Sequence, residues 1–392
     1  MRLTALRERL RGAIEIVLGM TLGYALYTVN VFVIALLYPL VEGRKEVIAL
    51  IPVMNDLRGD IMGSSGARMN TALHLGEASS SMRELLLLEA KPVVALTAST
   101  SLLISFLTFF YSRLSGEYLD LEVLQLVGAL SSALATAVLL PYLALFAATV
   151  FKRGGDPGNV LPTAATIGGD FVSFPLLVLS FLFVSTLPSP LAHVLFLLTI
   201  SLSISLPIAI LITSKRAGRI LSERLLVLLA VLLLQPFAGV LLAIFEEELA
   251  ERALFQISVS FIGIAGALSS VISLRLSVHL HLYGAPGIGN AFLRALLDAL
   301  FAILPGAFVV SLAGYASAWI LGGELAFLDM LVPVTIGLVI AVPVGAFVAL
   351  FVSLLSFRVG LDPDNVGVPL VTTFMDVLGL LILYFVSTIT IS

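Results

Sequence analysis

Long apolar stretches separated by short polar ones run through this chain from residue 16 to its end. Each stretch holds about 20 residues or more, the length with which an α-helix crosses the roughly 30 Å hydrocarbon core of a bilayer. The pattern predicts about eleven membrane-spanning helices, at residues 16–40, 47–75, 92–111, 121–151, 160–187, 191–213, 225–245, 254–281, 294–321, 327–357 and 365–388. The expected fold class is therefore an all-α polytopic membrane protein.

Two details of the pattern concern the ends of these spans. Residues 76–91 are polar and amphipathic, which predicts a segment that lies at the membrane surface before the third span. Pro141 is expected to break the long fourth span, because proline removes a backbone hydrogen bond inside a helix.

The composition supports a membrane protein and excludes several kinds of chemistry. Of the 392 residues, 59% are hydrophobic and only 12% are charged, and the mean hydropathy is +1.12. A soluble domain has about 25% charged residues, so no large soluble domain is expected. The chain has no cysteine, which excludes disulfides, thiolate metal sites and thiol catalysis.

The second predicted span is too polar for a helix that faces lipid. It contains Asn55, Asp56, Arg58, Asp60 and Arg68 together with several glycines. Such side chains are tolerated where a helix packs among others or lines a water-filled cavity, and glycines let neighbouring helices approach closely. We therefore predict a broken or cavity-lining helix.

Two stretches of the chain are copies of one another, and each carries one acid inside an apolar run. Corresponding residues in these two stretches are 206 positions apart, and they are Asp156 and Asp362, Asn159 and Asn365, Thr166 and Thr372, and Asp170 and Asp376. The second predicted span is also repeated, 207 positions further along the chain, where Gly59 matches Gly266 and Arg68 matches Arg275.

The duplication predicts the organisation of the whole chain. We expect a basic cytoplasmic segment at residues 1–15, a first five-helix repeat at 16–187, a linker with one extra transmembrane helix at 188–222, and a second five-helix repeat at 223–392. Two repeats with an odd number of spans would be inverted if they were joined directly. The extra helix restores the orientation, which predicts parallel repeats related by a pseudo-two-fold axis along the membrane normal.

The charges in the loops predict how the chain is oriented in the cell membrane. With the N-terminus in the cytoplasm, most Lys and Arg outside the spans fall on the cytoplasmic side, whereas the outer side receives mainly acids, such as those at 246–248. This distribution follows the positive-inside rule. We therefore expect a multi-pass protein with a cytoplasmic N-terminus and an outer C-terminus.

The paired acids Asp170 and Asp376 are the main candidates for a functional site. Each follows the start of its predicted span by about 15 Å, which is close to the bilayer midplane. Two carboxylates that face each other across a polar channel suit a divalent cation, and Mg²⁺ in particular keeps several waters while one or two carboxylates bind it. The alternative is a structural role in which each acid pairs with an arginine such as Arg68 or Arg275.

Other polar residues are candidates with an open alternative. Asp60 could be a third ligand or a partner of Arg58 or Arg68. Thr166 and Thr372 precede the paired acids by one turn and could line the path, but a bond to their own helix backbone is favoured. Asn159 and Asn365 could attract ions to a vestibule, although capping of the following helix is favoured.

At these residues the chain resembles the MgtE and solute carrier family 41 group of magnesium transporters. The second copy matches the pattern of that family's last helix, with an Asp-Pro pair, Pro-Leu-Val-Thr-Thr at 369–373 and Asp-Val-Leu-Gly-Leu at 376–380. The first copy keeps the Asp-Pro pair, Thr166 and Asp170. The resemblance extends over both repeats.

The resemblance implies a five-helix unit around a central pore in which the last-helix aspartate binds Mg²⁺. In MgtE two subunits supply the pore, whereas here one chain carries both copies, as in family 41. Only about fifteen residues precede the first span, so we expect the family's large cytoplasmic sensor region to be absent. The second repeat has Ala267 where the first has Asp60, which leaves the ion selectivity open.

We therefore predict a transporter of divalent metal cations, with Mg²⁺ as the transported ion, rather than an enzyme. The expected partners are the cation and the lipid bilayer, with no nucleic acid, and the chain is expected to be a monomeric pseudo-dimer. One alternative is a secondary transporter of another solute that uses the same acids for protons or sodium. Another is an intramembrane aspartyl protease, suggested by Gly168-Gly169-Asp170, but the two copied contexts do not supply distinct acid and base roles.

Overall fold

Eleven α-helices and no strand make up the part of the chain that the computed structural model describes. That part comprises residues 23–79, 81–155, 157, 161–321, 326–360 and 363–390, with the backbone alone at 162, 163, 166, 167, 170, 222–228, 230 and 363–365. The helices are α1 (Gly23–Leu40), α2 (Lys45–His74), α3 (Met82–Leu114), α4 (Leu121–Lys152), α5 (Leu161–Ser185), α6 (Ser189–Thr213), α7 (Lys215–Glu251), α8 (Phe255–Tyr283), α9 (Ile288–Ile320), α10 (Phe327–Val359) and α11 (Pro363–Thr390).

Most of these helices are suited to a membrane. Among the described residues, eight helices are long and apolar enough to cross one, namely α1, α3, α4, α6, α8, α9, α10 and α11. Helix α2 is a continuous helix with several charged side chains, yet 19 of its 30 residues are buried. The prediction of an all-α polytopic membrane protein is confirmed.

The prolines inside the helices do not break them. Pro52, Pro92 and Pro141 lie within α2, α3 and α4, each of which is continuous. The predicted break at Pro141 was therefore wrong. The stretch before Pro92 belongs to α3 from Met82 onward, and its place at the membrane surface stays a prediction. A membrane helix tolerates an internal proline when side chains or neighbouring helices bond to the backbone carbonyls that the proline leaves without a donor.

The chain divides into two compact units that do not follow the order of the sequence. One unit contains residues 40–243, and the other contains residues 244–392 together with the described part of residues 1–39. Helix α1, which comes first in the chain, therefore packs with the helices of the second repeat.

Each unit contains a four-helix arrangement with the same pattern of neighbours. In one unit α2 contacts α3, α4 and α5, and α4 also contacts α3 and α5. In the other, α8 contacts α9, α10 and α11, and α10 also contacts α9 and α11. The duplication seen in the sequence is thus matched by a duplication of the fold.

Two tyrosines of α1 fix this helix in notches made by glycines of the second repeat. The Tyr24 hydroxyl donates a hydrogen bond of 2.8 Å to the Ala302 carbonyl, and its ring lies against Gly306, where a Cβ would come within 3.0 Å of it. The Tyr27 ring fills the notch at Gly263, where a Cβ would lie 2.7 Å from it. Both glycines are needed for the close approach of α1.

Helix α7, the first helix of the second repeat, packs in turn with the first repeat. The Tyr111 hydroxyl donates to the Leu233 carbonyl at 2.8 Å, and the buried Gln235 amide donates to the carboxylate of Asp56. Gly239 lies so close to the Ala49 carbonyl that any side chain at position 239 would collide with it. Helices α1 and α7 are thus exchanged between the repeats to which they belong in sequence.

Candidate functional site

Asp376 lies at the middle of α11, where this helix packs closely against α8. The helix extends from Pro363 to Thr390, so Asp376 is about 20 Å from either end. A Cβ at Gly266 of α8 would lie 3.7 Å from the Thr372 Cα, and a Cβ at Gly379 would lie 3.2 Å from Ile262. These two close approaches flank Asp376, which is buried with only 8% of its surface exposed.

The first repeat has an equally close approach between the corresponding helices, α2 and α5. A Cβ at Gly169 would lie 3.6 Å from the backbone nitrogen of Gly59. The acids Asp60 and Asp170 directly follow these two glycines in sequence, so both lie next to this contact. Asp60 is half-buried, whereas the side chain of Asp170 lies outside the described residues.

The arginines that the sequence offered as partners of the paired acids have carboxylates of their own. Arg68 forms a two-pronged ion pair with the fully buried Glu89 of α3, with its shortest N–O distance at 2.6 Å. Its counterpart Arg275 pairs with Asp298 of α9, also at 2.6 Å. Each repeat thus neutralises its own copy of this arginine with an acid from its own helices.

The buried Arg58 and the half-buried Asp56 of α2 also form hydrogen bonds with neighbouring helices. Arg58 donates to the Ser131 hydroxyl of α4 at 3.0 Å, and Asp56 accepts from Gln235 of α7. These contacts turn the polar side of α2 toward other helices. Helix α2 packs among other helices and is continuous rather than broken, whereas its lining of a cavity stays a prediction.

The threonine and asparagine candidates have different outcomes. The Thr372 hydroxyl donates to its own helix, at 2.9 Å to the Pro369 carbonyl and 3.1 Å to that of Val368. Asn365 lies in the first turn of α11, which begins at Pro363. Their roles as ligands stay predictions. The side chains of Thr166 and Asn365 and the whole of Asn159 lie outside the described residues.

Sequence reasoning missed Glu89, Asp298 and Gln235 as partners of intramembrane charges. A signal was available for the first two, since each is an acid about 20 residues after an arginine of the repeat series. Among the described residues, no group of three or more His, Cys, Asp or Glu could hold a metal.

Comparison with known families agrees with this duplicated arrangement. The family model MgtE, described as a divalent cation transporter, matches residues 51–180 and again residues 257–386. The two matches are 206 positions apart, as Asp170 and Asp376 are, and they cover most of α2–α5 and α8–α11. No solved structure matches the chain. Since the matches cover well over half of its length, the chain belongs to the MgtE family of divalent cation transporters and contains the family's unit twice.

Proposed function

We propose that this transporter carries Mg²⁺ along a polar path to which both repeats contribute, and that Asp170 and Asp376 together hold the hydrated ion. The observation that carries the proposal is the burial of Asp376 at the midpoint of α11, in a family of divalent cation transporters. A carboxylate at membrane depth costs about 2.5–3.5 kcal/mol even on the mildest scale, so its retention favours a role in ion passage.

The choice of Mg²⁺ follows from the donors. Mg²⁺ dehydrates reluctantly and is commonly bound by one or two carboxylates with several waters retained. Two aspartates, one from each repeat, provide this kind of incomplete shell. A weakly held, hydrated ion can also leave the site, which conduction requires.

Asp60 would contribute a third carboxylate near Asp170, because the two residues follow the glycines at which α2 and α5 meet. Ala267 occupies the corresponding place in the second repeat, so such a site would be asymmetric. With their hydroxyls bonded to their own helix, threonines such as Thr372 would serve mainly to shape the path. Asn159 and Asn365 would lie near its entrance, where their amides could orient water around the ion.

The test is Mg²⁺ uptake into liposomes that contain the purified full-length chain. We expect Asp376→Asn and Asp170→Asn each to reduce uptake by about tenfold or more, since each removes half of the carboxylate charge that holds the ion. The matched control is Asp329→Asn, which removes an exposed carboxylate in the first turn of α10. Uptake that is equal in all three variants would contradict the proposal.

The same assay separates the proposal from coupled transport of another solute. We expect Mg²⁺ uptake to proceed without an imposed proton or sodium gradient. Uptake that appears only with such a gradient would favour a secondary transporter. The family is one of transporters rather than enzymes, so the aspartyl protease is not retained as a candidate.

A further inference from the structure

A long apolar groove lies along the unit formed by residues 40–243, between α3, α4 and α6, with Phe183 and Val184 at the end of α5 also in its lining. It has a volume of about 570 Å³. Helix α6, the extra helix between the repeats, forms one wall and has no counterpart in the second repeat. The groove extends from one end lined by Leu86, Pro141 and Leu206 to another end lined by Ser101, Leu126 and Leu195.

Two contacts between polar side chains identify the ends of the groove. Arg216 at the start of α7 pairs with Glu77, which precedes α3, at 3.3 Å. His193 at the start of α6 lies 3.2 Å from Glu122 at the start of α4. Helices α3 and α6 are therefore antiparallel, and the end near Leu86 lies on the side where α7 begins.

The groove presents hydrocarbon even where its lining residues are polar. The hydroxyls of Thr97 and Thr136 bond to each other at 3.1 Å. Ser101 donates to the Ala98 carbonyl and Thr199 to the Phe196 carbonyl, both at 2.9 Å. With these groups satisfied inside the protein, an apolar occupant loses no hydrogen bonds on entering.

The dimensions of the groove fit one extended hydrocarbon chain. From Leu86 to Ser101 the wall formed by α3 is about 22 Å long, at 1.5 Å per residue. A groove of this length with an apolar lining suits an acyl chain that lies along the membrane-spanning helices.

Basic side chains surround the end of the groove where Leu86 lies. Arg83, one turn before Leu86, is exposed, as are Lys215 and Arg216 at the start of α7. The acids nearby are Glu77, which pairs with Arg216, and Glu84, which accepts from the Ser79 amide. The basic groups outnumber these acids, so an anionic headgroup is favoured at this end.

We propose that this groove binds an acyl chain of an anionic phospholipid, whose headgroup lies against Arg83, Lys215 and Arg216. Burial of the chain supplies hydrophobic attachment, and the basic residues supply selectivity for the headgroup. Such a lipid would join α6 to the first repeat. The proposal does not depend on which ion is transported.

The first experiment is native mass spectrometry of the purified full-length chain titrated with phosphatidylglycerol and, separately, with phosphatidylcholine. Ala133→Phe fills the groove from an exposed position on α4 and is expected to abolish retention of phosphatidylglycerol. Val138→Phe, on the same helix outside the groove, is the matched control and should retain it. Equal retention by the two variants would overturn the proposal.

The headgroup is tested with a pair of double variants. Lys215→Gln with Arg216→Gln should weaken phosphatidylglycerol binding by about thirtyfold and leave phosphatidylcholine binding unchanged. Arg294→Gln with Arg358→Gln removes two exposed charges from the second repeat and should change neither. Wild-type binding of both lipids with equal affinity would overturn the headgroup assignment.

A second measurement needs no variant and so does not depend on folding of one. Phosphatidylglycerol with a photoreactive diazirine in its acyl chain is crosslinked to the wild-type chain in liposomes, and the adducts are mapped. We expect adducts concentrated on the walls of the groove, in α3, α4 and α6. Adducts spread evenly over all lipid-facing helices would contradict a specific site.

Discussion

At the scale of single residues, each repeat pairs its intramembrane arginine with an acid from the next helix. Glu89 is fully buried and accepts three hydrogen bonds from Arg68, whereas Asp298 accepts one from Arg275. A buried ion pair is strongly destabilised when one member is removed, because the other charge remains uncompensated. The Arg68–Glu89 pair therefore fixes α2 to α3, and the more exposed Arg275–Asp298 pair links α8 to α9.

The stabilising role of the Arg68–Glu89 pair can be tested by removing Glu89. Glu89→Ala should destabilise the protein by about 3–5 kcal/mol, since it leaves Arg68 buried without its carboxylate. Glu117→Ala breaks the more exposed pair with Lys45 and should cost about 1 kcal/mol or less. Thermal unfolding followed by circular dichroism in detergent checks both, and equal melting temperatures for the two variants would count against a structural role of the buried pair.

Sequence reasoning at this scale identified the charged residues but not their partners. Asp376 stands alone in an apolar run, so its burial could be predicted from the cost of exposing it to lipid. The partners of Arg68 and Arg275 depend on tertiary contacts between different helices. Glu89 was also missed because the amphipathic sequence around it predicts a segment at the membrane surface, whereas it lies inside helix α3.

At the scale of helices, the exchange of α1 and α7 between repeats depends on close contacts at glycines. Tyr27 of α1 fills the notch at Gly263, and Ser260 donates to the Tyr27 carbonyl at 3.1 Å. On the other unit, Gly239 of α7 packs directly on the backbone of α2. These notches admit a helix only where a side chain is missing.

We predict that Gly263→Ala destabilises the protein by about 1–3 kcal/mol, because the added methyl overpacks against the Tyr27 ring. Adding Tyr27→Ala to the same chain should remove most of this penalty, since the obstructing ring is gone. The measurement is again the melting temperature, compared as a double-mutant cycle.

Gly289→Ala is the control for that cycle, because a Cβ at position 289 meets no atom within 4 Å. It should leave the melting temperature nearly unchanged. If Gly263→Ala and Tyr27→Ala acted additively, the two positions would not be in contact and α1 would lie elsewhere.

The exchange of these helices could not be predicted from the sequence. In a duplicated chain, α1 meets similar surfaces on both repeats, so hydrophobic periodicity is satisfied by either packing. The choice depends on which copy offers the notches, and Gly263 corresponds to Asp56 in the first repeat. The long apolar stretches did predict an all-helical chain, and eight of the described helices are long and apolar enough to cross a bilayer.

At the scale of the whole molecule, the orientation in the membrane is still a prediction from loop charges. Reporter domains fused after residue 154 and after residue 392 test it. We expect the first reporter in the cytoplasm and the second outside, because the basic loops are retained inside. Both reporters on one side would contradict the predicted orientation and the odd number of spans.

The central claim is that one divalent cation is held jointly by an acid from each repeat. Isothermal titration of the purified chain with Mg²⁺ tests it most directly, with wild type, Asp170→Asn, Asp376→Asn and the double variant compared as a cycle. We expect each single change to weaken binding by about tenfold or more, and the double change to weaken it further but by less than the product of the two single losses, because both acids act on one site. Losses that multiply in the double variant, or a single variant that binds as wild type does, would contradict a shared site.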